Sequence, residues 1–150
     1  MKGAVAFIFF MLFLAGIAFV SLRDMTIGGT PVTSPEQLTD VAWKPTRLGD
    51  MAIEEDSKMF LQFDNDGRIG GHAGCNRYFG GYRFDGEVLI FGMVGATRMA
   101  CGEPADSFEI SSLEALQNVR GADRADERHV RRDAGGEALV RFTAIERIDD

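Results

Sequence analysis

Cys75 and Cys101 are the only two cysteines in this 150-residue chain, and they stand in two polar, turn-prone segments, Gly74-Cys75-Asn76-Arg77-Tyr78-Phe79-Gly80 and Thr97-Arg98-Met99-Ala100-Cys101. An even pair in a chain with an export signal is expected to be oxidised to one disulfide. Closing a loop of about 25 residues would stabilise the fold by roughly 3 to 4 kcal/mol through chain entropy. A redox-active pair is the sharper alternative, but the Cys-x-x-Cys spacing that lowers a thiol pKa is missing. Two separately buried thiols are the third possibility.

The other reactive side chains form no diagnostic set. His72 and His129 are isolated in sequence, Ser107, Ser111 and Ser112 fall on an expected helix face, and no acid pair stands in a catalytic motif. His72 reads as a loop hydrogen-bonder rather than a base. Asp64-Asn65-Asp66 lacks the alternating acids, the glycine and the terminal glutamate of a calcium loop. Gly67, Gly70, Gly71, Gly74, Gly80, Gly81 and Gly86 crowd one region without the Gly-Lys-Ser/Thr ending of a phosphate loop, so they are expected to serve bends and close backbone approach. No metal and no cofactor is expected. Asn76, Arg77 and Arg98 are rich in hydrogen-bond donors: loop support is their simpler role, a polar recognition spot the sharper one.

These residues must be held by a sheet. Trp43 is expected in or near a first strand, with Pro45 limiting how far pairing continues. Met59, Leu61 and Phe63 alternate as in a half-buried strand, and Asn65-Asp66-Gly67 supplies the turn back through Arg68 to Gly71. Tyr82 to Phe84, Asp85-Gly86 and Glu87 to Phe91 spell a second hairpin. Glu103-Pro104 opens a helix running to about Asn118, with Ile110, Leu113, Leu116 and Val119 recurring at helical spacing. Arg128 to Arg132 and Ala138 to Arg147 are two more strand candidates. Short antiparallel strands with one helix favour a mainly β, α+β domain, a small curled sheet or barrel.

The N-terminus has a different character. Ala4 to Val20 carries no polar side chain, and its eleven Val, Ile, Leu and Phe residues favour membrane insertion by on the order of 3 to 7 kcal/mol. Residues 1–24 are therefore expected to be a signal anchor or a signal peptide, with cleavage after Ala18 as the alternative. Lys2 on one side, and Arg23 beside Asp24 on the other, favour a cytoplasmic N-terminus and an exported remainder. No cysteine near this segment could carry a lipid. Residues 25–35 read as a tether and 36–150 as one domain. The net charge of −7, and the acids interleaved through Arg120 to Arg132, argue against a nucleic-acid partner. The membrane, through the N-terminal helix, is the expected partner.

The two cysteine segments resemble the META domain family, and within it the HslJ-like heat-shock branch. The likeness rests on Gly71, Gly74-Cys75-Asn76-Arg77, Phe79-Gly80 and Tyr82, then Phe91-Gly92 and Thr97-Arg98-Met99-Ala100-Cys101. Thr33 to Leu38, Trp43 and Leu113 to Val119 also fit. The resemblance implies a small lipocalin-like antiparallel β-barrel with a packed helix, in secreted or envelope proteins, without established catalytic residues or cofactor. HslJ-like members are associated with stress response and novobiocin tolerance. Two features depart from the pattern. A lipoprotein cysteine is absent, and Arg124 to Arg132 is more charged than the family's strand after the helix.

The function expected from this reading is that of a non-enzymatic domain of the cell envelope. It would be a single-pass protein of the cytoplasmic membrane facing the periplasm, or periplasmic after cleavage. The alternative is a barrel carrying a small apolar molecule in a cavity lined by Phe60, Phe84 and Phe91.

Overall fold

The computed structural model describes residues 29–125 and 135–148 in full, and 128–132 as backbone. The expected membrane-insertion segment, residues 1–24, lies outside the described residues. Among the described residues no helix is long and apolar enough to cross a membrane.

Among the described residues ten strands make one antiparallel sheet. They are β1 (Thr30–Pro31), β2 (Ala42–Leu48), β3 (Met51–Ala52), β4 (Phe60–Phe63), β5 (Arg68–His72), β6 (Arg77–Asp85), β7 (Val88–Ala96), β8 (Gly121–Ala125), β9 (Arg128–Arg132) and β10 (Ala138–Ile145). The helix α1 (Ala105–Asn118) lies between β7 and β8 in the chain. Hydrogen-bonded order runs β1-β8-β9-β10-β2-β4-β5-β6-β7, with β3 on the side of β2. The sheet curls until β7 comes near β8, but among the described residues no ladder joins them. The expected barrel is thus a curled half-barrel.

Turn chemistry sets the central register. Gly67 and Gly86 take φ of 76° and 60°, which a side chain would resist, so β4–β5 and β6–β7 close tightly at Asn65-Asp66-Gly67 and Asp85-Gly86. Leu61, Phe63, Ile69, Tyr78, Tyr82, Leu89 and Phe91 then face inward with Trp43. Trp43 is fully buried and its Nε1–H donates to the Leu38 carbonyl at 2.9 Å, satisfying the one polar atom its ring carries inside. The Phe63 and Tyr82 rings meet edge-on at 4.9 Å.

Several expectations need correction. Thr30–Pro31, expected within the tether, pairs with β8, and Val32 is fully buried, so the fold starts before Glu36. Strand β2 continues through Pro45 to Leu48. On one side it pairs with β10 along its whole length, with a register shift just past Pro45; on the other, pairing with β4 is limited to Ala42 and Trp43, and β3 takes over at Arg47 and Leu48. A strand not foreseen, β8, follows α1 directly; its Ala-Asp-Arg-Ala sequence hides it because only Ala122 needs to be buried. Of the expected helix stripe, Leu116 and Val119 are buried and Leu113 half-buried, whereas Ile110 is 67% exposed. Val119 lies one residue past the helix end. Only the C-terminal half of α1 lies on the core.

Candidate functional site

Cys75 sits in the turn between β5 and β6, and Cys101 in the segment leading from β7 to α1. They form the expected disulfide, with Cα atoms 5.8 Å apart. Cys75 is buried and Cys101 exposed, so the bond lies at the edge of the core rather than within it.

Asn76 is the only buried polar side chain among the described residues, and its hydrogen-bonding capacity is fully used. Its Oδ1 accepts from the Met99 N–H at 2.7 Å and from the Thr97 hydroxyl at 2.8 Å. Its amide Nδ2 donates to the Met99 carbonyl at 2.9 Å and to Glu109 Oε1 at 3.1 Å. The Asn76 N–H donates to Glu109 Oε2 at 2.8 Å, and its carbonyl accepts from the Ala73 N–H at 2.9 Å. One side chain therefore pins the segment after β7 and the helix to the same turn. Burying this amide would otherwise cost about 1 to 3 kcal/mol, so satisfaction of every atom is what makes the position tolerable.

Thr97 extends the network: its hydroxyl accepts from the Arg77 N–H at 3.2 Å, while its own N–H donates to the Arg77 carbonyl at 3.0 Å. Asp106 accepts from the Cys101 and Gly102 N–H groups, each at 3.1 Å, which anchors the second cysteine to the first turn of α1. An acid there also complements the helix dipole. Gly74 has φ of 107°, and its N–H donates to His72 Nδ1 at 3.3 Å. Burial first, then the positive charges of Arg77 and Lys58, hold the His72 pKa below 6.5, with Glu109 pulling the other way. A largely neutral imidazole fits an Nδ1 that accepts, the loop role expected for it. The side chain of His129 lies outside the described residues.

The remaining motif residues organise the sheet. The Tyr82 hydroxyl donates to the Asp64 carbonyl at 2.8 Å, and the Tyr78 hydroxyl to the Phe60 carbonyl at 3.1 Å. Tyr78 reaches Phe60 by crossing Gly71, where a Cβ would lie 2.3 Å from the Phe60 oxygen and 2.5 Å from the ring. Gly80 is similarly confined, a Cβ there meeting the Met93 carbonyl at 2.9 Å. Phe79 lays its ring over Gly95, its cross-strand partner, and remains 63% exposed. Arg77 is exposed on β6. Arg98 and Met99 border a shallow depression of about 360 Å³.

The structure thus joins Cys75, Asn76, Thr97, Met99 and Cys101 in one clamp, with the Arg77 backbone included. Phe79 and Tyr82 stand apart from it. Glu109 and Asp106 were missed by sequence reasoning. They lie three residues apart, on neighbouring positions of one helix face, and that spacing is the signal that could have found them. Cys75, Cys101 and Asp106 bring potential metal-ligand atoms within 4.8 Å of one another, but both sulfurs are committed to the disulfide.

Among the described residues the interior has no carrier cavity at the place expected. Phe91 packs 6.1 Å from Phe63, and Phe84 lies edge-on at 6.2 Å from Tyr82. The void between the β2–β10 side and α1, lined by Leu48, Met59, Leu116 and Phe142, has room for about 20 Å³. That is space for roughly one water. Phe91 lies in the core and Phe84 packs against it, whereas Phe60 is half-buried outside that cluster.

Comparisons agree with this architecture. The sequence model described as "META domain" matches residues 36–146. A solved structure of a protein from Burkholderia xenovorans, determined by NMR, is 25% identical, with a TM-score of 0.62 over 83% of this chain and 97% of its own. A second NMR structure, 21% identical, has a TM-score of 0.60 over 75% and 95%. The crystal structure of a DUF4847 family protein from Bacteroides vulgatus, 14% identical, has a TM-score of 0.54 over 75% and 98%. These last two show the fold alone. A comparison with curated proteins finds no match.

Proposed function

The chain belongs to the META domain family, and from that premise we propose that it is a non-enzymatic, exported domain of the cell envelope, held at the membrane by residues 4–22 or released after cleavage, that contributes to stress tolerance. The observation that carries this reading is the Cys75–Cys101 disulfide, which ties the sheet to the helix segment and persists only where thiols are oxidised. The apolar run Ala4 to Val20 supplies the route there.

The polar groups of the motif support a structural rather than a catalytic role. Asn76, Thr97 and Glu109 are turned toward one another, and His72 is engaged with Gly74. Such a domain acts through what its surface binds. The link to novobiocin tolerance rests on the HslJ-like resemblance.

A C-terminal epitope tag and protease treatment of spheroplasts test the placement. Digestion of the tagged domain in intact spheroplasts is expected. Protection until the membrane is lysed would overturn the reading.

A further inference from the structure

Strand β7 carries the most exposed large apolar side chain among the described residues. Met93 is 95% exposed, whereas Leu89 and Phe91 on the same strand are buried. The register explains this. Gly80 pairs with Val94 and Tyr82 with Phe91, so Gly81 alone stands opposite both Gly92 and Met93. A bulge of this kind re-aims a side chain. Val94 still packs against the core, and Met93 is turned out of it.

The neighbours on this face leave the thioether uncovered. Gly81 lies across from it on β6, Gly92 precedes it, and at Gly95 the space a Cβ would take is occupied by the Phe79 ring. Phe79, itself 63% exposed, is the diagonal neighbour of Met93 across the two strands. What packs at position 93 is the backbone, whose carbonyl a Cβ at Gly80 would meet at 2.9 Å. The side chain serves no contact in the core.

Access also orders the methionines. Met99 is 59% exposed, Met51 46% and Met59 only 6%. A thioether has no proton to gain or lose near neutral pH, so burial is what protects it from an oxygen donor. With Cys75 joined to Cys101, no cysteine thiol competes for the oxidant.

We propose that Met93 is a site of reversible sulfoxidation by hydroperoxides, and that its oxidation turns the Phe79–Met93 patch from apolar to polar without disturbing the fold. The sulfur attacks one peroxide oxygen; the S–O bond forms as the O–O bond breaks, and sulfur gives up two electrons. The other oxygen takes the peroxide's proton and leaves as water or an alcohol. A sulfoxide reductase working with a dithiol reverses the step, the oxygen departing as water and the dithiol becoming a disulfide. The exported placement proposed above would bring the site to oxidants outside the cytosol, but the site itself stands without it.

The test uses the full chain in a maltoside detergent. Hydrogen peroxide is added in steps and quenched with free methionine, and peptide mass spectrometry follows Met51, Met59, Met93 and Met99. Met93 is expected to gain one oxygen first, at least about tenfold faster than Met59, which reacts only in molecules that have opened. At that first oxygen Tm should stay within about 2 °C of the untreated value, as for a surface change without partners, and the protein should elute earlier from a hydrophobic-interaction column. Sulfoxide reductases of both stereospecificities, with dithiothreitol, should remove the oxygen. Gly81→Leu places a side chain opposite the bulge and should slow Met93 severalfold while leaving Met99 unchanged. Met93 reacting no faster than Met59 or Met99, a sulfoxide that unfolds the domain or leaves its elution unshifted, one that the reductases cannot remove, or an unchanged Met93 rate in folded Gly81→Leu overturns the proposal. Should Gly81→Leu fail to fold, the ranking of rates and the stability of the oxidised protein decide.

Discussion

Glu109 receives Asn76 twice: one carboxylate oxygen accepts the Asn76 backbone N–H at 2.8 Å and the other accepts its side-chain amide at 3.1 Å. Helix α1 is thereby fastened to the β5–β6 turn by a charge-assisted pair of hydrogen bonds, beside a covalent bond that fastens the same turn to the segment before the helix. Two links of different chemistry hold one junction.

Asn76→Ala leaves Glu109, Met99 and Thr97 with unmet partners and is expected to cost about 2 to 3 kcal/mol. Asn76→Asp, nearly isosteric, removes both Nδ2 donors and sets a second carboxylate against Glu109, so it is expected to cost more, about 3 to 5 kcal/mol. Urea denaturation monitored by Trp43 fluorescence orders the three proteins. An aspartate variant as stable as wild type would contradict the network.

Replacing both cysteines by alanine opens a 26-residue separation and is expected to lower stability by about 3.5 kcal/mol on the chain-entropy account. The Asn76 network survives this change. The variant should therefore fold, with unchanged far-ultraviolet circular dichroism at low temperature and a lower Tm. Complete loss of structure would mean that the polar clamp cannot hold the junction alone.

Adjacent glycines should respond in opposite ways. Gly71→Ala drives a methyl into the Phe60 carbonyl and the Tyr78 ring, and a cost of about 3 kcal/mol or more is expected. Gly70→Ala meets nothing closer than 4.0 Å and should be neutral or stabilising by about 0.5 kcal/mol. Thermal melts of the two single variants check this, and similar losses in both would show that the register is wrong.

The His72 pKa is depressed in the folded state, so below about pH 6.5 the unfolded chain binds the proton more readily. The contribution of this residue is therefore present above pH 6.5 and lost as pH falls toward the folded-state value. Protonation of Nδ1 also removes the acceptor for the Gly74 N–H. Wild type is expected to lose more Tm between pH 7.5 and 5.5 than His72→Gln, a range chosen to bracket the ordinary histidine pKa. A steeper loss in the glutamine variant would contradict the assignment.

Much of this molecule was legible in its residues. Asn65-Asp66-Gly67 and Asp85-Gly86 marked the two hairpins because positive φ has few occupants, and the alternation of Met59, Leu61 and Phe63 identified the inner face of the first. The cysteine pair was legible from type and context. What escaped detection lacks local signal: β1 is two residues long and β8 buries a single alanine, so both are strands only because a partner is present. The same holds for the site. Asn76 announced donors, but its partners Glu109 and Met99 are 33 and 23 residues away, a distance only the sheet and helix bridge. The phenylalanines suggested a cavity because composition does not reveal whether rings surround a space or fill it.

The central claim is that Cys75 and Cys101 are joined in the native protein, and native thiol trapping tests it most directly. Cells are quenched in acid, free thiols are alkylated without reductant, and the intact protein is weighed before and after reduction. The account predicts no adduct before reduction and two after it. Two adducts without reductant would show both thiols free and contradict both the clamp and the oxidising compartment inferred from it.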